Sequence, residues 1–161
     1  MYLKELLSLH QQAFKQKVVQ AFAEKHAMTM EQVLKSPGVV IDQYIHSKYK
    51  GVERAVSEIA GFKRPVILNI RRDPCGDAVC KICERDQPNI EKLQRIYDDR
   101  IVFYDLYDSS PEAALYHIIH QGEGEKLLPL IAVIHNGEVK KYWSGRQVEV
   151  EEYREYLDLL V

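Results

Sequence analysis

Cysteine is scarce in this sequence. The 161 residues hold three, and all of them fall between Cys75 and Cys83. Clustered thiols point to redox chemistry or metal binding rather than to structural bridges. A chain of this length buries close to two-thirds of its unfolded surface, so it needs no disulfide staple. An excess of charge of one sign is also missing. Twenty-two Lys and Arg against 24 Asp and Glu leave a formal net charge of −2. That balance gives no electrostatic reason to expect nucleic acid or an acidic membrane as partner. No apolar run approaches the roughly 20 residues of a membrane span. The segment Met1-Tyr2-Leu3-Lys4-Glu5-Leu6-Leu7 lacks the uninterrupted apolar core of a signal peptide, so a cytoplasmic protein is expected. Repeats and low-complexity segments are absent as well.

Amphipathic helices dominate the first third. Leu3, Leu7, Phe14, Val18 and Phe22, widened by Leu6, Val19 and Ala23, recur at helical spacing. Thr29 with Gln32 three residues on matches a capping box. The short helix it opens should stop at Ser36, before the breaker pair Pro37-Gly38. Val40, Ile41, Tyr44 and Ile45 begin a third stretch. Gly51 marks a joint, beyond which Val52, Ala55, Val56 and Ile59 lead to Gly61 as a C-cap. Residues 1–50 therefore read as an all-helical N-terminal arm, for packing or for homodimerisation, ahead of a second unit at 51–161. A helix-turn-helix over 12–46 would need a basic recognition face, which is lacking.

After Pro65 the pattern changes. Val66 to Ile70 is short, apolar and β-branched, as in a strand buried on both faces. The thiol segment Cys75-Gly-Asp-Ala-Val-Cys80-Lys-Ile-Cys83 follows. Ile90, Leu93, Ile96 and Tyr97 give a helix face, and Ile101 to Tyr104 a second strand. A parallel strand–helix–strand unit results. Ser110-Pro111 opens a helix with Ala114, Leu115, Ile118 and Ile119. A charged loop, Gln121 to Lys126, precedes strands at Leu130–Ile134 and Val139–Trp143. Asn136-Gly137 between them is a strong hairpin signal. Val148, Tyr153, Tyr156, Leu157 and Leu160 form a closing helix.

The order from Gly51 resembles the thioredoxin-like superfamily. Three features carry the resemblance: Cys80-Lys81-Ile82-Cys83 at the head of a helix, Pro88 five residues beyond Cys83, and Leu128-Pro129 before a strand. It implies an α/β fold of three layers, a central mixed sheet flanked by helices. It also implies a cis-proline at Pro129 facing the C-x-x-C, with Leu128 and Pro129 serving substrate binding. The implied activity is thiol–disulfide exchange on protein disulfides without a bound cofactor. Departures are plain. The loop before Cys80 is long and carries Cys75, Val79 stands where a tryptophan is common, and Asn69 lies near the place of a titratable carboxylate.

The chemistry follows from position. A free cysteine has a pKa near 8.5, and a helix N-terminus lowers it. Cys80 would attack and Cys83, one turn deeper, would resolve the mixed disulfide. Lys81, Arg71 and Arg72 could add positive potential. Cβ atoms at i and i+3 of a regular helix stand about 5–6 Å apart, whereas a bridge wants roughly 3.8 Å. The pair closes only if Cys80 lies at the helix boundary. Were Asp77 the cap, Cys75 with Cys80 would be the more natural pair. Cys75 is thus a candidate third thiol. Two rival readings remain: a metal site on the three cysteines, either iron–sulfur, for which a fourth cysteine is missing, or zinc with one histidine added, and a non-catalytic binding module.

Overall fold

The computed structural model describes residues 1–36, 40–122 and 125–161. The expected breaker pair Pro37-Gly38, and Glu123 and Gly124 of the expected loop, lie outside the described residues. The chain is a mixed α/β structure with a four-stranded sheet. Strands β1 (Val66–Arg71), β2 (Val102–Tyr107), β3 (Leu130–His135) and β4 (Glu138–Ser144) lie in the order β2-β1-β3-β4. Among the described residues there are six α-helices. They are α1 (Leu3–Lys25), α2 (Met30–Lys35), α3 (Ile41–Gly61), α4 (Lys81–Tyr97), α5 (Leu115–Ile119) and α6 (Val150–Leu157).

β1 and β2 run parallel, joined by α4, with Val66 opposite Val102 and Arg71 opposite Tyr107. β3 is antiparallel to both β1 and β4. Hence the two central strands are buried on both faces, which is why their sequences are nearly continuous apolar runs. Val66, Leu68, Ile70, Leu130, Ala132 and Ile134 point to the core shared with α1, α3 and α5. Their neighbours Ile67, Ile131 and Val133 point to the other core, shared with α4 and α6. The period-two alternation of a strand separates the two cores. Asn136 and Gly137 both adopt positive φ, 52° and 76°, the pairing a two-residue hairpin demands.

The arm is built into the sheet. Tyr2 forms a bridge to Glu138, Leu3 N–H donates to Gly137 O at 2.8 Å, and Val139 N–H donates to Met1 O at 3.0 Å. The capping box at Thr29 is present in full: Gln32 N–H donates to Thr29 Oγ1 and Thr29 N–H to Gln32 Oε1. α3 passes through Gly51 without a break, so the two expected stretches are one helix of 21 residues. A single glycine costs a helix only about 1 kcal/mol. That is less than the gain from the aligned apolar face of Ile45, Tyr49, Val52, Val56 and Ile59. Gly61 is the last helical residue and Phe62 the C-cap. After Ser110, Pro111–Ala114 winds as a 3-10 turn before α5, shorter than the expected helix.

Candidate functional site

α4 begins at Lys81, and Cys80 is its N-cap, with extended φ and ψ of −106° and 96°. The Cys80 sulfur accepts the Cys83 N–H at 3.2 Å, in the way a Ser or Asp cap would. With Cys80 off the helix, the Cα atoms come to 5.3 Å and a disulfide joins Cys80 to Cys83. Asp77 is outside the helix, so the alternative Cys75–Cys80 pair is not formed, and Cys75 is exposed and free. Cys80 is partly exposed, while Cys83 is 8% exposed. One sulfur therefore faces solvent and its partner is covered.

The far wall is Leu128 and Pro129. Cys80 Sγ lies 3.7 Å from Leu128 O, and the Leu128–Pro129 bond is cis. The segment is tightly held. Leu127 N–H donates to Tyr116 Oη at 2.8 Å, and Ser144 Oγ donates to Leu127 O at 2.8 Å. Gly145 N–H donates to Pro129 O at 2.9 Å. Gly145 has φ +70°, and a Cβ there would stand 2.6 Å from Leu127 Cβ, an atom that cannot rotate away. A left-handed backbone alone costs a non-glycine residue about 1–2 kcal/mol. Gly145→Ala should therefore cost about 2 kcal/mol or more, lowering the melting temperature by roughly 4–8 °C. It should also slow any reaction at Cys80 by displacing this wall; an unchanged melt would remove the wall's assigned constraint.

A cleft of about 220 Å³ opens beside the disulfide, lined among others by Arg71, Arg72, Val79, Cys80, Cys83 and Tyr107. Arg72 pairs with Asp108 at 3.4 Å. Arg71 is held by neutral groups instead: its Nη1 donates to Gln87 Oε1 at 2.5 Å, and its guanidinium lies over the Tyr107 ring at 5.2 Å. The parallel register fixes the Arg71–Tyr107 stack. Asp73 is turned into the loop, accepting from Ser109 Oγ and from Cys75 N–H. These bonds hold its carboxyl below the usual range.

On β1, Asn69 is 4% exposed and donates from Nδ2 to Asp105 Oδ1 at 3.2 Å; its own Oδ1 has no partner among the described residues. The buried carboxylate lies elsewhere, at Asp86 on α4, a residue that neither periodicity nor the thiol motif singles out. Asp86 accepts Val148 N–H at 2.8 Å, and Asn89 donates to Val148 O at 2.8 Å. Two side chains flanking Pro88 thus clamp both polar groups of one residue ahead of α6. A D-x-x-N pair around a helical proline is the only sequence trace of it. Among the described residues, no three His, Cys, Asp or Glu side chains gather as a metal site requires.

No family model matches the chain, and no curated protein matches it. A solved structure described as "Structure of a malarial protein" is similar at 17% identity, covering 61% of this chain and 98% of its own, with a TM-score of 0.47. Likeness at that level carries no argument about fold or activity.

Proposed function

We propose that this protein is a thiol–disulfide oxidoreductase of the thioredoxin-like kind, acting on protein disulfides. One observation carries the reading: Cys80 caps α4 with its sulfur at an open cleft, while Cys83 waits covered one turn deeper, bonded to it. The β2-β1-β3-β4 order, with the dithiol between the parallel pair, supports the fold assignment. A cytoplasmic setting, where thiols are kept reduced, suits a dithiol donor.

In the reduced protein, the Cys80 thiolate is stabilised by the unpaired N–H groups of the first turn of α4. It attacks one sulfur of a substrate disulfide, forming a mixed disulfide and releasing one substrate thiolate. Cys83, after losing its proton, attacks Cys80 Sγ, closes the protein disulfide and releases the second substrate thiolate. The substrate gains two electrons and the dithiol loses two. An external dithiol then returns the protein to its reduced form. The orientation decides the roles: only Cys80 meets a partner without the helix moving.

Insulin reduction driven by dithiothreitol tests the proposal. Wild type should accelerate it, and Cys80→Ser should fall to the rate of dithiothreitol alone. Turnover unaffected by Cys80→Ser would refute the assignment. Asn69, which takes no proton, favours a second reading, a non-catalytic binding module. The same assay separates the two, since the module gives no acceleration at all.

A further inference from the structure

Arg71 is the one basic residue of the cleft whose surroundings are arranged for a guest rather than for the protein itself. Arg72 is paired with Asp108, whereas Arg71 makes no ion pair among the described residues. It is nonetheless fixed in place, by the Gln87 amide on one side and the Tyr107 ring on the other. A guanidinium carries five donors in a rigid fork, and Gln87 takes one of them. Its Nε is buried without a partner among the described residues, as is that of Arg72, so the ion pair of Arg72 is what separates the two. A long side chain ordered by neutral groups, with its charge unanswered, is preorganised for an incoming carboxylate.

Resting on the exchange reading above, we propose that Arg71 selects substrates whose reacting sulfur has a carboxylate nearby, an acidic side chain flanking the cysteine of an acidic peptide segment. Arg71, Cys80 and Cys83 line one cleft, so a substrate sulfur at Cys80 brings its neighbouring groups within reach of the guanidinium. The other charges around the cleft have set parts. Arg72 is neutralised by Asp108. Asp73 is bound to Ser109 and to the Cys75 backbone. Glu84, exposed in the first turn of α4 and lining the same cleft, opposes a second anion. Specificity is thus for one carboxylate on the β1 side. In the exchange itself Arg71 neither gives nor takes a proton; it is a positioning residue.

Small symmetrical disulfides serve as probes: dithiodipropionate (anionic), bis(hydroxyethyl) disulfide (neutral) and cystamine (cationic). The rate of each with the reduced protein is divided by its rate with free mercaptoethanol, which removes intrinsic reactivity. A charge-assisted hydrogen bond predicts a preference for the anionic probe of about tenfold over the neutral one. Arg71→Gln should abolish that preference, lowering the anionic probe's rate about tenfold relative to the neutral probe's. Glu84→Gln should enlarge it, and salt should shrink it in wild type. An equal loss on all three probes in Arg71→Gln would assign the residue to the thiolate and overturn the proposal. So would a wild type with no anionic preference, or one indifferent to salt, a measurement that needs no variant to fold. Failure of every probe to react would instead overturn the exchange reading, and this proposal with it.

Discussion

Cys83→Ser should freeze the protein in a covalent complex with its substrate. Cys80 still attacks, since its exposure and its place at the head of α4 do not depend on Cys83. What disappears is the internal nucleophile beside the mixed disulfide. Well-oriented intramolecular groups act at effective concentrations many orders above millimolar. Release by millimolar external thiol should therefore be about a thousandfold slower, or slower still. Mixed disulfides should accumulate on non-reducing gels and vanish on reduction. Cys75→Ser with Cys80→Ser, whose one remaining sulfur is covered, should trap nothing. The exposed Cys75 enters here. If it can resolve the complex, Cys83→Ser alone will not accumulate adducts, but Cys75→Ser with Cys83→Ser will. Absence of adducts in both would remove Cys80 as the attacking thiol.

A second large effect is expected at Asp86, through stability rather than chemistry. The residue is 2% exposed, and burial pushes its carboxyl up to about 6, with Glu149 adding to the rise. Bonds from Val148 N–H and the Tyr153 hydroxyl, and the charge of Arg146, pull the other way without prevailing. The folded state therefore prefers the protonated acid. Its contribution is complete below the unfolded value of 3.8 and is lost as pH rises through about 6. A shift of about two units corresponds to about 2–3 kcal/mol.

Asp86→Asn keeps an oxygen for Val148 N–H and an amide for Tyr153 Oη, and has no charge to desolvate. Near neutral pH it should be the more stable protein by about 2–3 kcal/mol, roughly 4–10 °C in melting temperature. The advantage should disappear by about pH 4. Melts of the two proteins across that range check it, and a constant difference would refute it. The comparison matters because His10 and His117 titrate in the same window with opposite sign. Burial lowers both, so their contribution is present above 6.5 and lost as pH falls. Subtracting one protein's curve from the other's leaves Asp86 alone.

The elements were legible where one periodicity ran undisturbed. Val66–Ile70 and Leu130–Ile134 are largely β-branched apolar runs because both lie inside the sheet, and each strand extends one residue beyond its run. Thr29 and Asn136-Gly137 were legible because capping and hairpin turns are set by local backbone chemistry. Gly51 misled because a glycine signals a break only when no apolar face runs through it. Within the site, the bridging distance ties a Cys80–Cys83 pair to Cys80 at the helix boundary but leaves Asp77 as a competing cap, and the structure has Cys80 there. Two parts were not legible. The Arg71–Gln87–Tyr107 arrangement needs the β1–β2 register, and the Asp86–Val148 bond spans 62 positions. Such contacts leave no periodic trace, since each partner's type suits a surface position equally well.

The first three residues of the chain bear on how molecules of this protein meet one another. β4 is an edge strand, and an edge offers a row of unpaired amides and carbonyls to any second strand. Met1 and Leu3 occupy that row at Gly137 and Val139, and Tyr2 bridges to Glu138. The stretch beyond them carries Lys140 and Lys141. The free length left for pairing is thus short and like-charged. The opening of the chain keeps the sheet from growing past its own fourth strand.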